Sequence, residues 1–126
     1  MAVTQIHFQS IPVEDQSRAV EFYTRNLGFQ VHTDAPYGDD WRWIFLTLPG
    51  AQTRLHFAAT SDIQINGKPA LCLVCDNVDD EAKSLADNGV EITGRPDDAP
   101  SQPGVRWAMI RDNEGNLVLL ESMKEA

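Results

Sequence analysis

Four residue types in this chain could do chemistry, and their spacing limits which chemistry. Cys72-Leu-Val-Cys75 has the C-x-x-C spacing of redox and zinc motifs. Such pairs work where a turn or helix start lets both sulfurs converge. Here the surrounding run Ala70-Leu-Cys-Leu-Val-Cys-Asp76 reads as a strand, on which positions three apart point to opposite faces. The two thiols are therefore expected to diverge and to serve as small buried apolar groups. His56 and Glu121 form the one candidate acid–base pair, because a carboxylate can orient and charge an imidazole. Arg54 could hold an anionic group or simply sit at a strand edge. No G-x-S-x-G elbow and no glycine-rich phosphate loop occurs in the sequence.

Charge and composition exclude several classes. The chain has 126 residues, with 10 Lys and Arg against 19 Asp and Glu, a net charge of −9. Its cations are scattered, so phosphate backbones and anionic membrane surfaces would be repelled; neither nucleic acid nor membrane is an expected partner. The acidity itself names no substrate. At 42% hydrophobic residues, one core of useful size is available. No apolar stretch approaches the length of a membrane span and the N-terminus has no basic-then-apolar leader pattern, so a cytoplasmic location is the default expectation.

The elements that must position these residues come as a repeat. Ile11 to Asp15, a helical stretch to Leu27, then Gly28-Phe-Gln-Val31 is echoed by Leu73 to Asp76, a helical stretch to Asn88, then Gly89-Val-Glu-Ile92. The two glycines lie about half the chain apart, and the economical reading is an internal repeat. Asp15 or Ser17 can cap the first helix, whose stripe is Ala19, Val20, Phe22, Tyr23 and Leu27. Val78, Ala82, Leu85 and Ala86 form the second stripe, and Gly28 and Gly89 supply the stops. Strands are expected at 41–48, 54–59, 105–112 and 117–121, with Thr33–Asp40 and Gly94–Gly104 as polar loops. Each half then reads βαβββ, an α+β fold with modules at about 1–61 and 68–126 and a connector between them.

Strand alternation sorts the side chains. Ile44, Leu46, Leu48, Leu55 and Phe57 should pack under the first helix, and Leu71, Leu73, Ala108, Ile110, Val118 and Leu120 under the second. The other parity holds Phe8, Ser10, Trp43, Phe45, Arg54, His56, Ala70, Cys72, Trp107, Met109, Leu119 and Glu121. This second set is largely apolar and aromatic, which suits a small organic molecule fixed by a few polar contacts. Trp43 and Trp107 have two readings, filling a core between modules or lining a ligand site. His7 has the wrong parity and should point away. Tyr37 and Trp41 are expected on or beside a rim loop.

The segment Val13-Glu-Asp15, Phe22-Tyr23, Asn26-Leu-Gly-Phe29 resembles the first-module signature of the vicinal oxygen chelate superfamily, which contains glyoxalase I, extradiol dioxygenases and bleomycin resistance proteins. Asp112-Asn-Glu-Gly-Asn-Leu117 is similar to that superfamily's last turn, with Asn113 in place of proline. The likeness covers essentially the whole chain. It implies paired βαβββ modules with curved mixed sheets around a cleft, commonly in a homodimer. The family's metal ligands would fall at Phe8, His56, Ala70 and Leu119, and three of those four side chains cannot ligate. The resemblance therefore implies a metal-free, bleomycin-resistance-type protein with no cofactor. It would hold a small organic molecule among Phe8, Trp43, Phe45, Arg54, His56, Trp107, Met109, Leu119 and Glu121. Two alternatives stand beside it: a divalent-metal lyase, isomerase or dioxygenase using displaced ligands His56 and Glu121, and a protein-interaction module.

Overall fold

Helix ends fix the frame of each half. The computed structural model describes residues 2–63 and 66–123. Its elements are β1 (Phe8–Val13), α1 (Gln16–Asn26), β2 (Gln30–Tyr37), β3 (Trp41–Thr47), β4 (Arg54–Ala59), β5 (Pro69–Val74), α2 (Val78–Asp87), β6 (Glu91–Asp98), β7 (Val105–Arg111) and β8 (Leu117–Met123). The Asp15 carboxylate accepts the Arg18 N–H at 3.0 Å and caps α1, so Asp15 rather than Ser17 is the cap. Asn77 does the same for α2 through the Asp80 N–H. Gly28 and Gly89 follow the two helix ends with φ of 77° and 87°, the left-handed turn that a side chain would strain.

The chain divides into two compact units, Met1–Gln64 and Ile65–Ala126, each with one four-stranded mixed sheet and one helix. The sheets have the same order, β1-β4-β3-β2 and β5-β8-β7-β6. In each, the first strand runs parallel to the last, and the other neighbours are antiparallel. This is the α+β pattern of two βαβββ modules. The connecting residues 64 and 65 and the tail 124–126 lie outside the described residues.

Complete burial follows strand parity, although Phe45 and His56 of the other parity are also largely buried. Ile11, Val13, Ile44, Leu46 and Phe57 are fully buried in the first unit, together with Ala19 and Tyr23 of α1. Ala108, Ile110 and Val118 with Val78 of α2 fill the same place in the second. Val20, Leu27, Leu48, Leu71 and Leu73 are only half-buried. The last turn is tied by buried Asp112, whose carboxylate accepts the Glu114 and Asn116 backbone N–H groups at 2.9 and 2.8 Å. Among the described residues no helix is long and apolar enough to cross a membrane.

Two expected loops, 33–40 and 94–104, are strand over their first five residues and turn only beyond. Thr33–Tyr37 belongs to β2, and only residues 38–40 turn into β3, so Tyr37 and Trp41 face each other across a hairpin end. Residues 94–98 likewise belong to β6. Both are outermost strands of their sheets, where proline and charge are tolerated because one edge needs no ladder partner.

Candidate functional site

In the first unit, β1, β3 and β4 put one helix-side layer in the core and one aromatic layer on the opposite face. Register pairs Phe8 with Arg54, Ser10 with His56, and Phe45 with His56, which places all five on that opposite face. Trp43, two residues before Phe45, shares it. Its ring centroid lies 4.4 Å from His56, 5.4 Å from Phe45 and 6.0 Å from Phe8. Phe8 is 5.2 Å from Phe45 and 5.0 Å from His56. Tyr37 extends the layer from β2, its ring 5.6 Å from Trp43. His7 joins it too, 5.3 Å from Phe45, contrary to its expected direction. It precedes β1, so the alternation of the strand does not govern it.

His56 is the polar centre of this layer and is 8% exposed. Its Nδ1 lies 2.9 Å from the Ser10 hydroxyl, while Nε2 is buried without a hydrogen-bond partner among the described residues. Burial lowers the imidazole's pKa below its ordinary value near 6.5, because the charged ring would lose solvation. The ring is thus neutral at neutral pH. The unfolded chain takes up a proton below about pH 6.5 that the folded chain refuses, so stability present above that value is lost as pH falls towards the lowered folded value. The wild type should therefore lose more of its urea midpoint between about pH 7 and about pH 5 than His56→Gln. Equal losses in the two proteins would mean that His56 does not titrate on unfolding.

Arg54 flanks the layer. Its guanidinium carbon sits 5.4 Å from the Phe45 centroid, a cation–π distance. Its backbone N–H donates to the His7 carbonyl. Among the described residues, no carboxylate pairs with its guanidinium.

The second unit repeats the scheme with a sparser face. Register aligns Cys72, Leu119 and Met109 across β5, β8 and β7, and Trp107 with Glu121. All except exposed Cys72 are half-buried. The Trp107 indole lies across Gly94, where an added Cβ would be 2.6 Å from the ring, so that glycine leaves room for the indole. Cys72 donates its thiol proton to Glu121 Oε1 at 3.0 Å, and Cys75 to the Glu121 backbone carbonyl at 3.7 Å. Both cysteines are free. Partial burial, then the hydrogen bond to the Glu121 carboxylate and its charge, push the Cys72 thiol up to about 12. Neither cysteine is the fully buried apolar group expected, since Cys72 is exposed and Cys75 half-buried. A thiol held protonated is a poor nucleophile and a poor metal ligand.

The donors present do not fit the metal centre that the fold family implies. Phe8, Ala70 and Leu119 offer no ligand atom, Nδ1 of His56 is taken by Ser10, and Glu121 receives the Cys72 thiol. Among the described residues no three His, Cys, Asp or Glu side chains converge. Sequence reasoning missed two polar hollows at the helix N-termini. One, of about 510 Å³, is bordered by Asp79, Asp98, Gln102 and Arg106, and Arg106 binds both Asp79 oxygens at 2.8 Å. The other, of about 310 Å³, lies between Gln16, Asp40 and Arg42. The Arg106–Asp79 pair joins β7 to α2 over 27 residues, a distance that leaves no local sequence signal.

Comparison with known proteins places this architecture. The structure of TnmS3, described as an antibiotic binding protein from Streptomyces sp. CB03234, superposes with a TM-score of 0.84 at 30% identity, covering 98% of this chain and 99% of that one. A superfamily member from Sphaerobacter thermophilus DSM 20745 gives 0.82 at 28% identity, over 97% and 99%. YurT of Bacillus subtilis (strain 168) is 36% identical over 86% of this chain and 91% of its own length. Residues 4–120 match the family described as Glyoxalase/Bleomycin resistance protein/Dioxygenase superfamily, and the chain belongs to that superfamily.

Proposed function

We propose that the protein binds a small, partly aromatic organic molecule on the β1–β3–β4 face without a metal, as a homodimer in the cytoplasm. The observation that carries this reading is the continuous layer of Phe8, Trp43, Phe45 and Tyr37 around a neutral, half-satisfied His56. Offset and edge-on rings offer a flat ligand both stacking area and apolar burial. The similarity to TnmS3, an antibiotic binding protein, supports binding over turnover. Trp107, Met109, Leu119 and Glu121 are proposed as ligand-binding residues on the corresponding sheet face of the second unit, Glu121 being the only carboxylate among them.

The test is a fluorescence titration of the full chain, purified without chelator, with uncharged bicyclic and tricyclic aromatics. Saturable quenching that Trp43→Phe diminishes is the expected result, in protein carrying no stoichiometric metal. A stoichiometric divalent metal that His56→Ala removes would overturn the metal-free reading, and an unresponsive spectrum across the panel would overturn the ligand site.

A further inference from the structure

Global and local charge disagree around Arg54, and the disagreement specifies a ligand. The chain carries 19 acidic residues, yet β1, β3 and β4 contain none. Three arginines elsewhere in the sheets take carboxylate partners: Arg42 pairs with Asp34, Arg106 with Asp79 and Asp98, and Arg111 with Glu91, whereas Arg95, in edge strand β6, is exposed to solvent. Arg54 stands half-buried on the aromatic face with Phe45 beneath it and, among the described residues, no counter-charge. A planar fork of five N–H donors left open next to rings suits a flat molecule ending in a carboxylate or phenolate.

The other polar group of the layer, His56, adds no charge of its own, since burial disfavours its protonated form. The half-buried Ser10 hydroxyl lies 2.9 Å from His56 Nδ1, a contact that either atom can donate according to the ring's tautomer. The face of β1, β3 and β4 therefore presents a guanidinium beside an uncharged, buried imidazole, and one positive charge.

We infer that the ligand of this face is an aromatic acid, its rings on Phe8, Trp43 and Phe45 and its anionic oxygens on Arg54. The inference rests on the proposed aromatic ligand site and narrows it. It runs against the chain's net charge of −9, which at long range favours cations. At contact distance the forked hydrogen bonds to a partly desolvated guanidinium prevail over a field that salt screens within about 8 Å.

Three isosteric probes separate the possibilities by calorimetry on the full chain: naphthoate, naphthamide and naphthylmethylammonium. Naphthoate should bind about tenfold or more tighter than naphthamide, with the ammonium weakest, since a hydrogen-bonded charge is worth at least that factor. Arg54→Gln should abolish the preference, bringing naphthoate down to naphthamide, and Arg54→Lys should keep part of it. Raising salt should weaken naphthoate and spare naphthamide in the wild type, a readout that needs no variant to fold. An ammonium that binds best, or a naphthoate-to-naphthamide ratio unmoved by Arg54→Gln or by salt, overturns the inference while leaving an aromatic site intact. If none of the three binds, the aromatic site itself is refuted and the inference with it.

Discussion

Phe57→Ala should cost the first unit about 3–5 kcal/mol, the range for deleting a buried ring whose neighbours cannot close the void. Phe57 is fully buried in β4, lies opposite Ile11 of β1 in the ladder, and has its ring 5.9 Å from that of Tyr23 in α1. It thus joins helix to sheet, between the strand that begins the unit and the helix that covers it. A urea titration reads the loss as a lower midpoint at unchanged slope. The control is Arg25→Ala, which removes an exposed helix pair with Glu21 and should move the midpoint by no more than about 0.5 kcal/mol. Similar shifts for the two variants would remove Phe57 from the packed core.

Trp43→Ala should behave in the opposite way, with a large loss of binding and a smaller loss of stability. Its ring meets those of Phe8, Tyr37, Phe45 and His56, which makes it the hub of the aromatic layer, but it is only half-buried. Central aromatic residues of this kind typically account for about 2 kcal/mol or more of binding free energy, which is about thirtyfold in affinity. The expected result is that drop for an uncharged bicyclic aromatic, with a urea midpoint that falls less than in Phe57→Ala. A variant that unfolds as readily as Phe57→Ala yet binds as before would assign Trp43 to the core.

The helices and the two faces of each sheet were legible because they are local. Asp15 and Asn77 cap, Gly28 and Gly89 stop, and alternation along β3 and β4 separates Ile44, Leu46, Leu55 and Phe57 from Trp43, Phe45, Arg54 and His56. The starts of β2 and β6 read as strands, but their far halves read as loops because Thr33-Asp-Ala-Pro36 and Gly94-Arg-Pro-Asp97 have loop composition. An edge position satisfies a strand with such residues, and composition does not tell where the edge is. His7 escaped because parity holds only inside a ladder. The partner of His56 was legible as a face-mate, but its hydrogen bond depends on a parallel register between Ser10 and His56 that only the fold supplies.

That register also sets an order of events during synthesis. Ser10 and His56 are 46 residues apart in the chain, and the strand β1 has no other partner in its sheet. Ile11 and Val13 must therefore wait, unpaired and apolar, until β4 has emerged from the ribosome. Such long-range pairing folds slowly and leaves a strand edge open to aggregation in the meantime. Helix α1, complete and capped by residue 26, is available long before. Between its emergence and that of β4, the growing chain has a helix stripe and an unmatched strand in need of cover, a time window in which a chaperone would find its binding surface.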